Sequence, residues 1–176
     1  MRVIGGTAGS IRLKAPKGIR PTTDAMRETL FNVLGGRVRG ARFLDLFAGS
    51  GAVGIEALSR GAAHCTFVER DPACVRALAV NLERTGLSER TVVMRRDAAQ
   101  VLRELGADER HDIAFVDPPY QFEGLGEVLG LLLEQRAGVS DAAVVVVQHS
   151  RGDEAVEALE PTRAKPFGDS VLSFFE

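Results

Sequence analysis

The sequence predicts an α/β domain: an open sheet of seven mostly parallel strands with one antiparallel strand, covered by helices on both faces and preceded by a small N-terminal hairpin. Three observations carry this expectation. From Arg42 onward short apolar strands alternate with helical patterns; a glycine-rich turn, Phe47-Ala48-Gly49-Ser50-Gly51, follows the first of those strands; and the chain closes on two strands joined by a Gly168-Asp169 turn. At 176 residues the chain holds one sizeable core and no second one, so residues 1–22 read as a basic hairpin and loop and 23–176 as the α/β domain.

In order, Arg2 to Ile4 and Ser10 to Lys14, joined through Gly5, Gly6 and Gly9, form the expected hairpin. A loop through Pro16, Gly18 and Pro21 leads to a helix from about Asp24, with Met26, Leu30, Val33 and Leu34 at helical spacing. The strand Arg42 to Leu46 precedes the glycine turn and its helix, and His64 to Val68 is the next strand. Asp71 then caps a helix with Pro72 at its first position, burying Val75, Leu78 and Leu82. Thr91 to Arg95 is a strand, and Asp97 opens a helix that buries Val101, Leu102 and Leu105. The strand Asp112 to Val116, a helix burying Leu125, Val128, Leu129 and Leu132, and the buried strand Ala142 to Val147 follow. Arg163 to Phe167 and Val171 to Phe175 make the closing antiparallel hairpin.

The glycine turn sits where a strand passes into a helix and where backbone must approach a ligand closely. Gly49-x-Gly51-x-x-Gly54 satisfies a dinucleotide fingerprint, and Glu69, 18 positions past Gly51, stands where an acid binds ribose hydroxyls. This half alone admits NAD as readily as S-adenosylmethionine (SAM). Asp45, Phe47, Gly49, Gly51 and Glu69 are its cofactor-side candidates; Asp97 either caps its helix or contacts an adenine amino group.

The second segment, Asp117-Pro118-Pro119-Tyr120, is more specific. An exocyclic amine on a nucleobase is a poor nucleophile because its lone pair is delocalised into the ring. A carboxylate from Asp117 and the main-chain carbonyl of Pro118 would accept the amine hydrogens, with both prolines fixing the backbone that aims them. Tyr120, the only tyrosine, offers a face on which an extruded base stacks. Together the two segments spell methyl transfer from SAM to a base amine. Cys65 and Cys74 lie outside Pro-Cys or Cys-x-x-Cys settings, which argues against pyrimidine C5 methylation; His64, His111 and His149 lack metal-site spacing.

The net charge of −2 hides an asymmetry: residues 1–42 carry nine Lys and Arg against Asp24 and Glu28, a net of +7 that leaves −9 for the rest. A basic arm before an acidic domain points to RNA, with Arg2, Arg12, Lys14, Lys17 and Arg20 as phosphate contacts and Pro119 beside the base. With no signal peptide, membrane-length apolar stretch or disulfide framework in the sequence, a cytoplasmic protein is expected.

Arg2-Val3-Ile4-Gly5-Gly6, Arg20-Pro21-Thr22-Thr23-Asp24, Arg27-Glu28, Leu30-Phe31-Asn32, the glycine turn and the Asp-Pro-Pro-Tyr segment stand in the order that resembles the RsmD family of bacterial 16S ribosomal RNA guanine-N2 methyltransferases. The likeness covers almost the whole chain. It implies a Rossmann-like class I methyltransferase fold, SAM as donor, and a guanine of small-subunit RNA as acceptor, within a partly or fully assembled subunit. It also implies that Thr22 and Thr23 lie over the cofactor's methionine end and that the N-terminal hairpin contacts RNA. Two positions depart from the pattern: Gln148 stands where the family often has Glu, and Phe167 where Tyr is usual; both read as secondary contacts near the sheet's end. The competing readings are a DNA adenine-N6 methyltransferase, which would share the same catalytic residues, a non-catalytic RNA-binding assembly factor and an NAD oxidoreductase. The basic arm and the Arg-Pro-Thr-Thr-Asp segment weigh against the DNA enzyme, the intact Asp-Pro-Pro-Tyr segment against the assembly factor, and the lack of a catalytic acid and base pair against the oxidoreductase.

Overall fold

The computed structural model describes residues 1–16, 22–106 and 109–176; Lys17, Arg20 and Pro21, singled out above, lie outside the described residues. Seven strands, β1 (Arg42–Leu46), β2 (His64–Val68), β3 (Thr91–Met94), β4 (His111–Val116), β5 (Val139–Ser150), β6 (Arg163–Phe167) and β7 (Ser170–Phe175), form one sheet in the order β3-β2-β1-β4-β5-β7-β6. The pairs β1–β2, β2–β3, β1–β4 and β4–β5 are parallel, while β7 runs antiparallel to both β5 and β6 and is the one reversed strand.

Alternation along the central strands explains the two covered faces. Phe43, Phe67, Ile113, Phe115, Val144 and Val146 pack with α1 (Asp24–Leu34), α2 (Ala52–Ser59) and α3 (Pro72–Thr85). Leu44, Leu46, Ala114, Val116, Val145 and Val147 pack with α4 (Ala98–Glu104) and α5 (Leu125–Leu129), which continues as a π-helical turn over Gly130–Glu134. A four-residue helix, α6 (Glu154–Glu157), was not expected from the sequence, and β5 extends beyond the predicted Ala142 to Val147 at both ends.

The N-terminal segment differs from the expected hairpin of two strands. It holds one antiparallel bridge, Arg2–Arg12, flanked by Val3 N–H to the Ile11 carbonyl (3.0 Å) and Ser10 N–H to the Val3 carbonyl (2.9 Å). The ladder stops because α2 takes the next donors: Ile4 and Gly5 N–H bond the Glu56 carboxylate at 2.7 and 2.9 Å, and Thr7 N–H bonds the Ser59 carbonyl at 2.8 Å. Gly6, at φ +76°, passes so close to Ser59 that a Cβ there would overlap its carbonyl. Val3, Ala8 and Leu13 are buried in the same apolar cluster as α1 to α3.

Glu56 is fully buried, and its four bonds include Arg27 (3.4 Å) and Arg60 (2.7 Å). Arg27, counted in the basic arm, is itself fully buried and donates to Asp24 (2.6 Å) and the Arg2 carbonyl (2.8 Å). It is therefore an internal tie between α1, α2 and the N-terminal segment, not a surface cation.

Candidate active site

The chain runs β1, β2, β3 outward and returns to β4 on the other side of β1, so the direction of winding reverses between β1 and β4. Open α/β sheets bind ligands at the carboxyl ends of the strands beside such a reversal. The glycine turn leaves β1 there and Asp117-Pro118-Pro119-Tyr120 leaves β4.

The turn after β1 is held in a strained, open form. Phe47 has φ +60°, Gly49 φ +56° and Gly51 φ +82°. A Cβ on Gly51 would overlap Leu78, whereas a Cβ on Gly49 would meet nothing within 4 Å: one glycine permits packing, the other leaves open space beside the backbone. Gly51 is the N-cap of α2 and supplies no side-chain acceptor, so the helix start lacks a side-chain cap. Asp45, beneath the turn, accepts from Gly54 N–H at 2.9 Å. Burial pushes its carboxyl well above the ordinary range against the opposing effect of that N–H, and the charges of Asp117 and Glu69 push it the same way as burial. Phe47 turns its ring to Phe122, edge-on at 5.0 Å, so it couples the two site segments through packing.

Glu69 is not free at the strand tip, as the sequence suggested. Its carboxylate accepts from Gly49 N–H and Asp71 N–H, both at 2.8 Å, because the left-handed turn aims one amide at the end of β2. Two hydrogen bonds leave carboxylate lone pairs for further donors. Asp97 caps α4, accepting from Gln100 N–H at 3.1 Å, and Asp71 caps α3 as expected.

Across the reversal point, Asp117 is partly buried and accepts from the Thr22 hydroxyl at 3.2 Å. Burial pushes its carboxyl up to about 7, with the Thr22 hydrogen bond acting in the opposite sense. Thr23 caps α1 through Met26 N–H (3.2 Å), so the two threonines divide: one fixes the helix, the other reaches the carboxylate. Pro118 accepts no hydrogen bond among the described residues, while Pro119 accepts from Phe122 N–H at 3.1 Å and closes a turn with Gln121 at φ +57°. The Tyr120 ring is 83% exposed and rests on no core cluster.

In the arm, Arg2 and Arg12 face each other across their bridge and, with Lys14, are exposed. Asn81 on α3 is a buried residue that sequence reasoning missed. Its amide bonds the Lys14 backbone twice, at 2.7 and 2.8 Å, and donates to the Ser50 carbonyl at 2.9 Å, tying the arm to the glycine turn. The one available signal was a polar residue set between Leu78 and Leu82 on the apolar face. Among the described residues no His, Cys, Asp or Glu cluster could hold a metal ion, and no helix is long and apolar enough to cross a membrane.

The open turn, the uncapped start of α2 and the acidic tip of β2 fit a SAM-type cofactor, and comparison with known proteins agrees. Residues 1–176 match the family described as conserved hypothetical protein 95. The chain is 43% identical over 150 residues to the ribosomal RNA small subunit methyltransferase D of Escherichia coli (strain K12), covering 84% of this chain and 74% of that protein. The solved structure of a hypothetical protein from Thermus thermophilus matches with a TM-score of 0.85 at 36% identity, over 100% of this chain and 99% of that one. A precorrin-6Y C5,15-methyltransferase from Geobacter metallireducens GS-15 shares the fold alone, at a TM-score of 0.70 and 19% identity over 92% of this chain and 91% of that one. Matched along its whole length and carrying both site segments at the reversal point of a class I sheet, the chain belongs to the RsmD family of methyltransferases.

Proposed function

We propose that the protein methylates the exocyclic N2 amine of a guanine in small-subunit ribosomal RNA. The observation that carries this reading is the placement of the glycine turn and the Asp117 segment at neighbouring strand ends, one suited to a donor cofactor and the other to an amine. SAM would be held by the Gly49–Gly51 backbone and Glu69 and would supply an electrophilic methyl group. Asp117 and the Pro118 carbonyl accept the two amine hydrogens and turn the nitrogen lone pair out of the base plane. The lone pair so exposed would be free to take that methyl group, and the amine proton would leave to the Asp117 carboxylate or to water. A carboxyl near 7 is matched to that task at neutral pH. Tyr120 stacks the extruded base, and the exposed trio Arg2, Arg12 and Lys14 meets phosphates, relieving the repulsion of two arginines set opposite each other.

The test is tritiated-methyl transfer from SAM to small subunits and to free 16S RNA, followed by nucleoside mass spectrometry. N2-methylguanosine is expected. Replacing Arg2, Arg12 or Lys14 by Ala should weaken RNA binding, leave SAM affinity unchanged and flatten the log–log salt slope by about 0.7 to 0.9 for each phosphate no longer neutralised. Methylation of adenine in a DNA duplex, with ribosomal guanine untouched, would overturn the proposal.

A further inference from the structure

Gln148 reads in the sequence as a contact at the sheet's end, and the structure moves it to the site. The last paired rung of β4 and β5 is Val116–Val147, so one residue further on Asp117 and Gln148 leave adjacent parallel strands, about 4.8 Å apart. Side-chain alternation puts them on one face. Val144, Val146 and Phe115 all pack against the α1–α3 cluster, and Gln148 and Asp117 continue those two rows toward Thr22. Gln148 therefore lies on the far side of Asp117 from the cofactor turn, where an acceptor base extends.

The Gln148 carboxamide is also unfinished. Its Oε1 is buried without a hydrogen-bond partner among the described residues. On the other side of β5 its paired neighbour is Leu172, which has no side-chain donor, and Asp117, one step past the last β4–β5 rung, is an acceptor when ionised. Buried polar atoms left without partners incur a desolvation penalty, and folded proteins keep few of them. An acceptor held dry beside a catalytic carboxylate is a place for a donor on the substrate.

We propose that Gln148 is a specificity-determining residue whose Oε1 accepts the N1–H of the guanine while its Nε2 reaches O6; this rests on the guanine reading above. The order of groups along the base edge fits. With the N2 hydrogens at Asp117 and Pro118, the next group is the N1–H donor and the one after it the O6 acceptor, the complement of a carboxamide.

The experiment compares wild type, Gln148→Met and Gln148→Glu for melting temperature, SAM affinity and methylation of ribosomal guanine. Gln148→Met keeps the volume and removes the acceptor. It should melt at or above the wild-type temperature, bind SAM equally well, and lose about 10- to 100-fold in kcat/KM for RNA. Gln148→Glu keeps the N1–H acceptor but loses the donor to O6, and should recover part of that loss at pH 8.5, above the Asp117 midpoint near 7. Full activity in Gln148→Met, a melting temperature that falls together with its activity, or a Glu variant as poor as Met would each overturn the inference. A wild type that leaves ribosomal guanine unmethylated sinks the underlying function reading, and this inference with it. A wild type that methylates it beside an equally active Met variant sinks this inference alone.

Discussion

The rate of methyl transfer should follow the ionisation of Asp117. Its carboxyl is pushed up to about 7, from an ordinary 3.8, chiefly by burial. The ionised fraction is then about a tenth at pH 6 and about nine-tenths at pH 8, so an Asp117-dependent rate rises about tenfold over that interval and levels off above it. An aspartate at its ordinary value would give a flat profile there. The Thr22 hydroxyl donates to the charged carboxylate and holds its value down, so Thr22→Val should move the midpoint to higher pH. The loss would be clear at pH 7 and would close by pH 9, while Thr22→Ser keeps the wild-type midpoint. Other carboxyls on this edge are Asp45, Glu69 and the helix caps Asp71 and Asp97. The assay is single-turnover transfer of tritiated methyl at saturating SAM and RNA, with SAM affinity measured at each pH. Stability should change in the opposite sense. A folded-state value above the unfolded one means that the folded protein binds the proton more tightly, so stability falls as pH rises from about 4 through 7. Asp117→Asn should therefore raise the melting temperature at pH 8, change it little at pH 5, and reduce turnover by at least about 100-fold. A flat wild-type profile, or a Thr22→Val midpoint that does not move, would refute the assignment of Asp117 as the titrating group.

Glu69→Ala should weaken SAM by about 1.5 to 3 kcal/mol, read by isothermal titration, with saturating SAM restoring much of the rate. It should also lower the melting temperature, since the Gly49 and Asp71 amides lose their acceptor. Tyr120→Ala should cost roughly 1 to 3 kcal/mol in RNA binding and Tyr120→Phe little, with no change in melting temperature for a ring that touches no core. Glu56→Ala should destabilise the fold by about 3 to 5 kcal/mol in chemical denaturation, because it leaves the buried Arg27 guanidinium without its buried counter-charge.

Most elements were legible because each carries a local signal. Asp71-Pro72 marks the start of α3, and the near-continuous apolar runs in Arg42–Leu46, His64–Val68 and His111–Val116 report strands buried on both faces. The reversed strand was legible from its Gly168-Asp169 turn. The N-terminal segment reads as paired strands because glycines between apolar residues resemble a hairpin. Its donors instead go to Glu56 and Ser59, more than 50 residues away, and nothing local announces that.

The two candidate site segments stand out in the sequence because the proposed function would require particular residue types next to one another: glycine where the backbone turns left-handed, and a carboxylate beside rigid prolines. These short-range demands leave their mark on any stretch of chain that meets them, and the sequence by itself therefore determined the α/β class, the succession of strands and helices, the glycine turn and the carboxylate beside the prolines. Only the tertiary structure decided which polar groups complete one another. It set Thr22 on Asp117, 95 residues away, gave Glu69 to the Gly49 amide, enclosed Arg27 with Glu56, and left Gln148 Oε1 without a partner among the described residues. Hydrogen bonding and desolvation act over a few ångströms in space, and the neighbours at that range are chosen by the winding of the sheet, which local sequence does not encode.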